Sequence, residues 1–275
     1  MSAAPVWIDG RICNGDEARV SLADRGFLLG HGAFETLRVT GGAVRRWPAH
    51  RKRLEGGLAY LGLTAPALLD EVPRATRELA DAAGVQDGVA RLTVTAGAGG
   101  PGLEARTHAA PTCVLTVKPR PVPPSAVSVA IVAGARRSGS PGEAFKLSGY
   151  ADLIAARLSA KAGGAERAVV TGPGGALACA DCANLYWIKG SRVFTPALET
   201  GALSGVTRTA LLSAAALHGL EIEAVRAGPQ ALLEAEAGFM TNAVEGVVAI
   251  SAVDGVRKDA GHALIARFSR LEAQA

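Results

Sequence analysis

Pro119-Arg120-Pro121-Val122-Pro123-Pro124 stands near the middle of a chain of 275 residues. Each proline stiffens the backbone and removes a donor, so neither a helix nor a central strand can run through this stretch. It reads as an interdomain linker over residues 119–125. A smaller N-terminal α+β domain is expected over 1–118 and a larger C-terminal α/β domain over 126–275.

Upstream of the prolines, Val6 to Ile12 reads as a strand interrupted by the hairpin signal Asp9-Gly10, and Ala33 to Val39 as a strand before the Gly41-Gly42 turn. Leu54, Leu58 and Leu61 recur at helical spacing from His50, and Ala67 to Ala83 repeats that character up to the stop at Gly84. Val89 to Thr95 and Thr112 to Lys118 alternate as strands around a glycine-rich segment, Gly97 to Gly102, which reads as a mobile loop. Downstream, strands are expected at Val127 to Ala133, Ala168 to Thr171, Leu185 to Ile188 and Val193 to Thr195. Helices are expected at Gly149 to Ala162, Thr207 to His218 and Gln230 to Ala237.

The composition, 49% hydrophobic and 20% charged, is that of a globular protein, and 4% aromatic residues are too few for a platform that stacks single-stranded nucleic acid. The net charge is +4, and its clearest cluster, Arg45, Arg46, Arg51, Lys52 and Arg53, is local rather than a long basic tract. A small anionic ligand fits this better than a nucleic acid. No signal peptide or run of membrane length is legible, so the expected setting is the cytoplasm, without a membrane partner. Cys13, Cys113, Cys179 and Cys182 are too sparse for a disulfide framework and read as reduced thiols.

Lys146 lies in Ala144-Phe145-Lys146-Leu147-Ser148-Gly149-Tyr150, ahead of the expected helix. The positive end of that helix and an apolar setting would favour a neutral amine able to form an imine, although a solvated surface lysine satisfies the same pattern. Gly205-Val206-Thr207-Arg208 could present amides and a hydroxyl to a phosphate at a helix start, or Ser204 or Thr207 could simply cap that helix. Thr241-Asn242-Ala243 could be a second set of loop donors, or only a turn. Cys179-Ala180-Asp181-Cys182 lacks the second ligand pair of a zinc site and precedes a strand rather than a helix, which argues against metal and thioredoxin-like roles. The histidines, His31, His50, His108, His218 and His262, show no paired metal spacing on one helix, so no metal is expected. The 97–102 segment also lacks the Gly-Lys-Ser/Thr ending of a nucleotide-binding loop.

Taken in order, a set of landmarks covers nearly the whole chain: Trp7-Ile8-Asp9-Gly10, Ala23-Asp24-Arg25-Gly26-Phe27, Gly30-His31-Gly32-Ala33-Phe34-Glu35-Thr36, His50-Arg51-Lys52-Arg53-Leu54, Lys146, Ala183-Asn184-Leu185-Tyr186-Trp187, Phe194-Thr195-Pro196, Leu203-Ser204-Gly205-Val206-Thr207-Arg208 and Phe239-Met240-Thr241-Asn242. The set resembles the class IV aminotransferases, the fold-type IV pyridoxal 5'-phosphate (PLP) enzymes that include branched-chain and D-amino-acid aminotransferases and aminodeoxychorismate lyases. The resemblance implies a two-domain α+β fold like that of D-amino-acid aminotransferase, a homodimer, and a small-molecule amine or amino acid as substrate. It implies that Lys146 holds PLP as a Schiff base, and that Arg53 binds the cofactor phosphate together with Val206, Thr207 and the Asn242-Ala243 loop. The substrate amine would displace Lys146, whose freed amine would move the proton at the carbon next to nitrogen while PLP takes up the electrons.

Departures from the family pattern qualify this. Phe34 stands where relatives often carry tyrosine, so it has no proton role. Cys179 occupies the cofactor position, five residues before Asn184, where the family usually has a glutamate that keeps the pyridine nitrogen protonated. A neutral thiol cannot give that support unless Asp181 shifts in or Cys179 ionises. Ala96 stands where many relatives carry an arginine near the substrate carboxylate. The stretch from Ala183 to Gly190 and the Thr241-Asn242-Ala243 loop look closest to aminodeoxychorismate lyases, which release pyruvate and leave 4-aminobenzoate. A branched-chain or D-amino-acid transaminase is the alternative, and a PLP-binding relative that no longer catalyses is a third.

Overall fold

The structure is a computed structural model that describes residues 4–104, 110–134 and 140–275. The chain divides into two compact units, one running to Pro121 and including Phe145–Gly149, the other formed by Val122–Ala144 and Tyr150–Ala275.

The first unit contains β1 (Val6–Ile8), β2 (Arg11–Cys13), α1 (Arg25–Leu29), β3 (Gly32–Thr40), β4 (Ala43–Val44), α2 (Trp47–Tyr60), α3 (Val72–Ala82), β5 (Asp87–Thr95) and β6 (Thr112–Pro119). Its strands form an antiparallel sheet in the order β2-β1-β6-β5-β3-β4. Asp9 and Gly10 both take positive φ, 48° and 88°, which is what a tight hairpin between β1 and β2 requires. Side chains alternate across the sheet. Ala33, Leu37 and Val39 of β3 join Ala90, Leu92 and Val94 of β5 in a core with Leu54, Leu58 and Leu79 from α2 and α3. The same alternation sets Phe34 and Thr36 on the opposite face with Arg91 and Thr93. The expected helix from Ala67 to Ala83 is divided into a 3₁₀ turn, Ala67–Glu71, and α3. Pro73 is the reason: it has no N–H to give to a preceding turn but is tolerated in the first turn of a helix.

Two neighbouring glycines inside α2, Gly56 and Gly57, weaken the helix intrinsically by ~1 kcal/mol each. A Cβ on Gly56 would lie 2.6 Å from the Phe145 ring and one on Gly57 3.2 Å from Phe145 Cβ, so the glycines make room for the segment that carries Lys146. That segment is stitched to β3: Phe34 N donates to Lys146 O and Ser148 N to Gly32 O, both at 2.9 Å, and Ala33 pairs with Leu147. The lysine therefore belongs to the first unit, where the linker position had suggested the C-terminal domain.

The second unit contains β7 (Ala126–Val132), α4 (Ala151–Ala162), β8 (Arg167–Thr171), β9 (Leu177–Ala180), β10 (Asn184–Lys189), β11 (Arg192–Pro196), α5 (Val206–Leu217), β12 (Ile222–Val225), α6 (Pro229–Leu233), β13 (Ala237–Asn242), β14 (Gly246–Val253), β15 (Val256–Arg257) and α7 (Ala263–Gln274). The sheet order is β12-β11-β10-β13-β14-β7-β8-β9, with β15 on β14. It is mixed: β7/β8, β7/β14 and β11/β12 are parallel, and α4 and α5 are the crossovers of the first and last pairs. Both faces are covered. Tyr186, Phe239 and Phe268 stack at 4.5 and 5.4 Å with Leu211 of α5 on one, while Leu185, Trp187, Met240 and Val248 pack with Leu232 of α6 on the other. The helix expected over Gln230 to Ala237 stops at Leu233 because Ala237 already belongs to buried β13.

Candidate active site

In the first unit Lys146 is fixed by its main chain and its amine lies 4.6 Å from the centroid of the Phe34 ring. Arg91 stands over the same ring at 3.9 Å. Phe34 is 5% exposed, so the ring is a buried platform that attracts both cations through its quadrupole. The helix expected from Gly149 begins only at Ala151, five residues after Lys146. Arg91 was not singled out in the sequence. Its signal was the two-residue period of β5, which places it on the Phe34 face, opposite Thr36.

Directly behind this face lies a buried charge cluster. Glu35, 0% exposed, accepts from Arg53 Nε and Nη2 at 2.8 and 2.7 Å and shares a 2.7 Å hydrogen bond with His50 Nδ1. Burial by itself would raise the Glu35 carboxyl, but the hydrogen bonds from His50 and Arg53, with their charges, outweigh it and hold the group below its ordinary value. Arg53, expected to serve a phosphate, thus gives its Nε–Nη2 edge to Glu35; Nη1 is outside that fork. Turns of α2 one apart bring His50 and Arg53 to the same carboxylate.

The 97–102 segment is pinned rather than loose. Arg25, 3% exposed, donates to the carbonyls of Gly100, Gly102 and Leu103, and Gly99 N and Gly100 N donate to Ala23 O. A Cβ on Gly99 would meet Arg25 Cδ at 2.7 Å, so the glycine admits the arginine. Arg25 Nε donates to His31 Nδ1 at 3.1 Å, and Asp24 caps α1 while accepting from Thr95 and Thr112.

In the second unit the first turn of α5 has no side-chain cap, and its N-cap is Gly205, not Ser204 or Thr207. A Cβ on Gly205 would collide with Asn184 Oδ1, an oxygen held nearby because Asn184 Nδ2 donates to Leu203 O at 2.8 Å. Thr207, 2% exposed, buries its hydroxyl without a hydrogen-bond partner among the described residues. Next to it Arg208, 6% exposed, has one bond, from Nη2 to Pro196 O at 3.2 Å, and no carboxylate within ion-pair reach among the described residues. Burial pushes its guanidinium below the usual value, by more than Tyr186 and the Glu199 charge restore. A helix start without a side-chain cap, with an idle hydroxyl and a cation that contacts no carboxylate among the described residues, is chemically suited to a phosphate, whose oxygens accept from all three. Val206 contributes the first amide of that turn, which has no side-chain cap.

Asn242 and Ala243 begin the turn from β13 to β14. Asn242 Oδ1 accepts from Val244 N and Glu245 N, and Glu245 is gripped by Arg167. Cys179 is buried on β9 and packs with Leu153, Ala156 and Val170. Asp181 cannot swing in to replace the expected glutamate: Arg157 holds both its oxygens at 2.7 and 2.6 Å and Ala168 N donates to it as well. The C-x-x-C unit runs from the end of β9 into the turn before β10, which is followed by a strand and not a helix, and Cys182 Sγ accepts from Arg157 at 3.2 Å. Cys113 is inert by position, its thiol pushed up to about 12 by burial, with the Asp9 charge adding.

Among the described residues no group of three or more His, Cys, Asp or Glu could hold a metal ion, and no helix is long and apolar enough to cross a membrane. His262 accepts from Leu264 N as the cap of α7, and the His218 carbonyl accepts from Arg267; His108 lies outside the described residues.

The profile of the Amino-transferase class IV family matches residues 32–253. The aminodeoxychorismate lyase of Bacillus subtilis (strain 168) is 30% identical over 258 residues, covering 91% of this chain and 87% of that protein. A branched-chain-amino-acid aminotransferase of Pseudomonas aeruginosa is 26% identical over 277 residues, covering 93% and 87%. The crystal structure of a branched-chain aminotransferase from Thermoproteus uzoniensis with norvaline superposes with a TM-score of 0.91 over 100% of this chain and 94% of that one, at 24% identity, a likeness of fold.

Proposed function

We propose a function from one premise: this chain belongs to the class IV aminotransferase family. It is a PLP-dependent enzyme acting on a primary amine or amino acid, and its reaction is that of an aminodeoxychorismate lyase, releasing pyruvate and leaving 4-aminobenzoate. The observation that carries the reading is Lys146, tied at both sides to β3 with its amine over the buried Phe34 ring. The likeness to the Bacillus subtilis lyase supports the choice of reaction.

In this reading Lys146 is the lysine that carries the cofactor. Val206 and Thr207 supply an amide and a hydroxyl to its phosphate, the Asn242-Ala243 turn supplies further donors, and Arg53, oriented by Glu35, adds positive charge. When bound, the cofactor supplies a sink for the electrons left at the carbon next to the substrate nitrogen. Lys146, as a neutral amine, would be the base that moves the proton at that carbon. Glu35 and His50 orient Arg53, and Phe34 keeps water from the lysine. Arg91, on the same face, is placed to pair with a substrate carboxylate. Cys179 gives no charge at the position of the family glutamate, and Asp181 is committed to Arg157, so turnover rests more heavily on Lys146.

A transaminase reading is favoured by the named aminotransferases among the relatives. Excess aminodeoxychorismate separates the two: a lyase releases pyruvate in step with 4-aminobenzoate and leaves the cofactor in its aldehyde form, whereas accumulation of the amine form sinks the lyase assignment. A homodimer is supported by the exposed apolar run Val20, Leu22, Phe27, Leu28 and Leu29. Sedimentation at micromolar concentration should give twice the mass of the chain.

A further inference from the structure

The turn Asn242-Ala243-Val244-Glu245-Gly246 is closed by side chains. Asn242 Oδ1 accepts from Val244 N at 2.9 Å and Glu245 N at 2.8 Å, and Asn242 Nδ2 donates to Glu245 Oε2 at 2.6 Å. Both Glu245 oxygens also accept from Arg167 of β8, at 2.8 and 2.5 Å. Arg167 is only 8% exposed, and it is fixed in a planar fork that sets the plane of the carboxylate. Gly246 completes the turn at φ 73°, where a Cβ would meet Glu272 Oε2 at 2.8 Å.

These bonds permit only one orientation of the Asn242 amide. Reversed, its NH₂ would face two backbone N–H groups and its oxygen would face a carboxylate, so every contact would be repulsive. The two backbone donors set this orientation, and the Glu245 carboxylate, gripped by Arg167, reinforces it. Asn242 Oδ1 and one of its amide N–H groups are committed within the turn, and none of these bonds uses the Ala243 amide.

We infer that Arg167 and Glu245 are positioning residues that, through Asn242, hold the Ala243 amide toward the cofactor phosphate, and that Asn242 is a strut of this turn rather than a phosphate ligand. This rests on the phosphate reading above. The sequence pattern could not reveal it, because Arg167 meets Glu245 only through the placement of β8 beside the β13–β14 turn.

The test compares the affinity of the full chain for PLP with that for pyridoxal, which lacks the phosphate, by titrating the visible band. Glu245→Ala and Arg167→Met should each weaken PLP by at least about tenfold and pyridoxal by less than about twofold. Glu245→Gln, which keeps the shape and an acceptor for Asn242 but loses the charge, should fall between. Arg167→Lys should restore part of the loss. If wild type prefers PLP and Glu245→Gln retains the full preference, the positioning role is wrong and the cofactor reading stands. If wild type binds pyridoxal as tightly as PLP, the phosphate reading and this inference both fail. Should Glu245→Ala not fold, Glu245→Gln alone decides.

Discussion

Glu35 and the start of α5 are both buried and polar, yet they are opposite in kind. Around Glu35 every charge has its partner: a carboxylate, a guanidinium edge and an imidazole meet at 2.7–2.8 Å. At Thr207 and Arg208 a hydroxyl lacks a hydrogen-bond partner and a cation lacks a contacting carboxylate among the described residues. Burying a polar group unpaired costs free energy, so such groups persist where something outside the chain satisfies them. The first region is a frame; the second is built for a ligand.

The contrast can be broken by mutation. Glu35→Ala leaves Arg53 and His50 without their anion, and the expected loss of stability is about 3–5 kcal/mol, read by chemical denaturation. A loss under ~1 kcal/mol would mean that the cluster is not a frame. Because the Glu35 carboxyl is held below its ordinary 4.5, its contribution is complete above that value and drains as pH falls through the lowered one. The stability gap between wild type and Glu35→Gln should therefore narrow on acidification, and a gap that widens would contradict the direction. Gly205→Ala, which drives a methyl into Asn184, should cost roughly 1–3 kcal/mol and weaken the cofactor as well.

Thr207→Val sharpens the same comparison, because its sign should differ with and without the cofactor. Removing an idle hydroxyl at nearly constant volume should leave the cofactor-free chain as stable or slightly more so, while PLP affinity drops by about tenfold. Equal destabilisation in both states would show that the hydroxyl is an internal bond. The smallest effect is expected from Cys179→Ala, which should change turnover by less than about threefold if the thiol carries no charge in the reaction.

Much of this frame could be read from residue order. The alternation at Val89–Thr95 and Thr112–Lys118 became β5 and β6, and the periodic leucines after His50 became α2. Short or fully buried strands such as β9 and β12 carry too few residues for a period to register, and α7 follows a strand-rich stretch without a proline or capping box to announce it. The candidate residues came from the ordered motifs, whereas their partners did not. That Arg53 is shared with Glu35, that Lys146 is bound to β3, and that Asp181 is locked by Arg157 are all contacts between distant parts of the chain, set by packing rather than by spacing. Pro119 to Pro124 could not show that Phe145–Gly149 returns to the first unit, since that return depends on the space left by Gly56 and Gly57.

The central claim is that Lys146 carries the cofactor. Loading the purified chain with PLP, reducing with borohydride and mapping the peptides by mass should place a pyridoxyl phosphate adduct on Lys146 and remove it, with the visible band, in Lys146→Ala. An adduct on another lysine, or a visible band that survives in Lys146→Ala, would contradict the account.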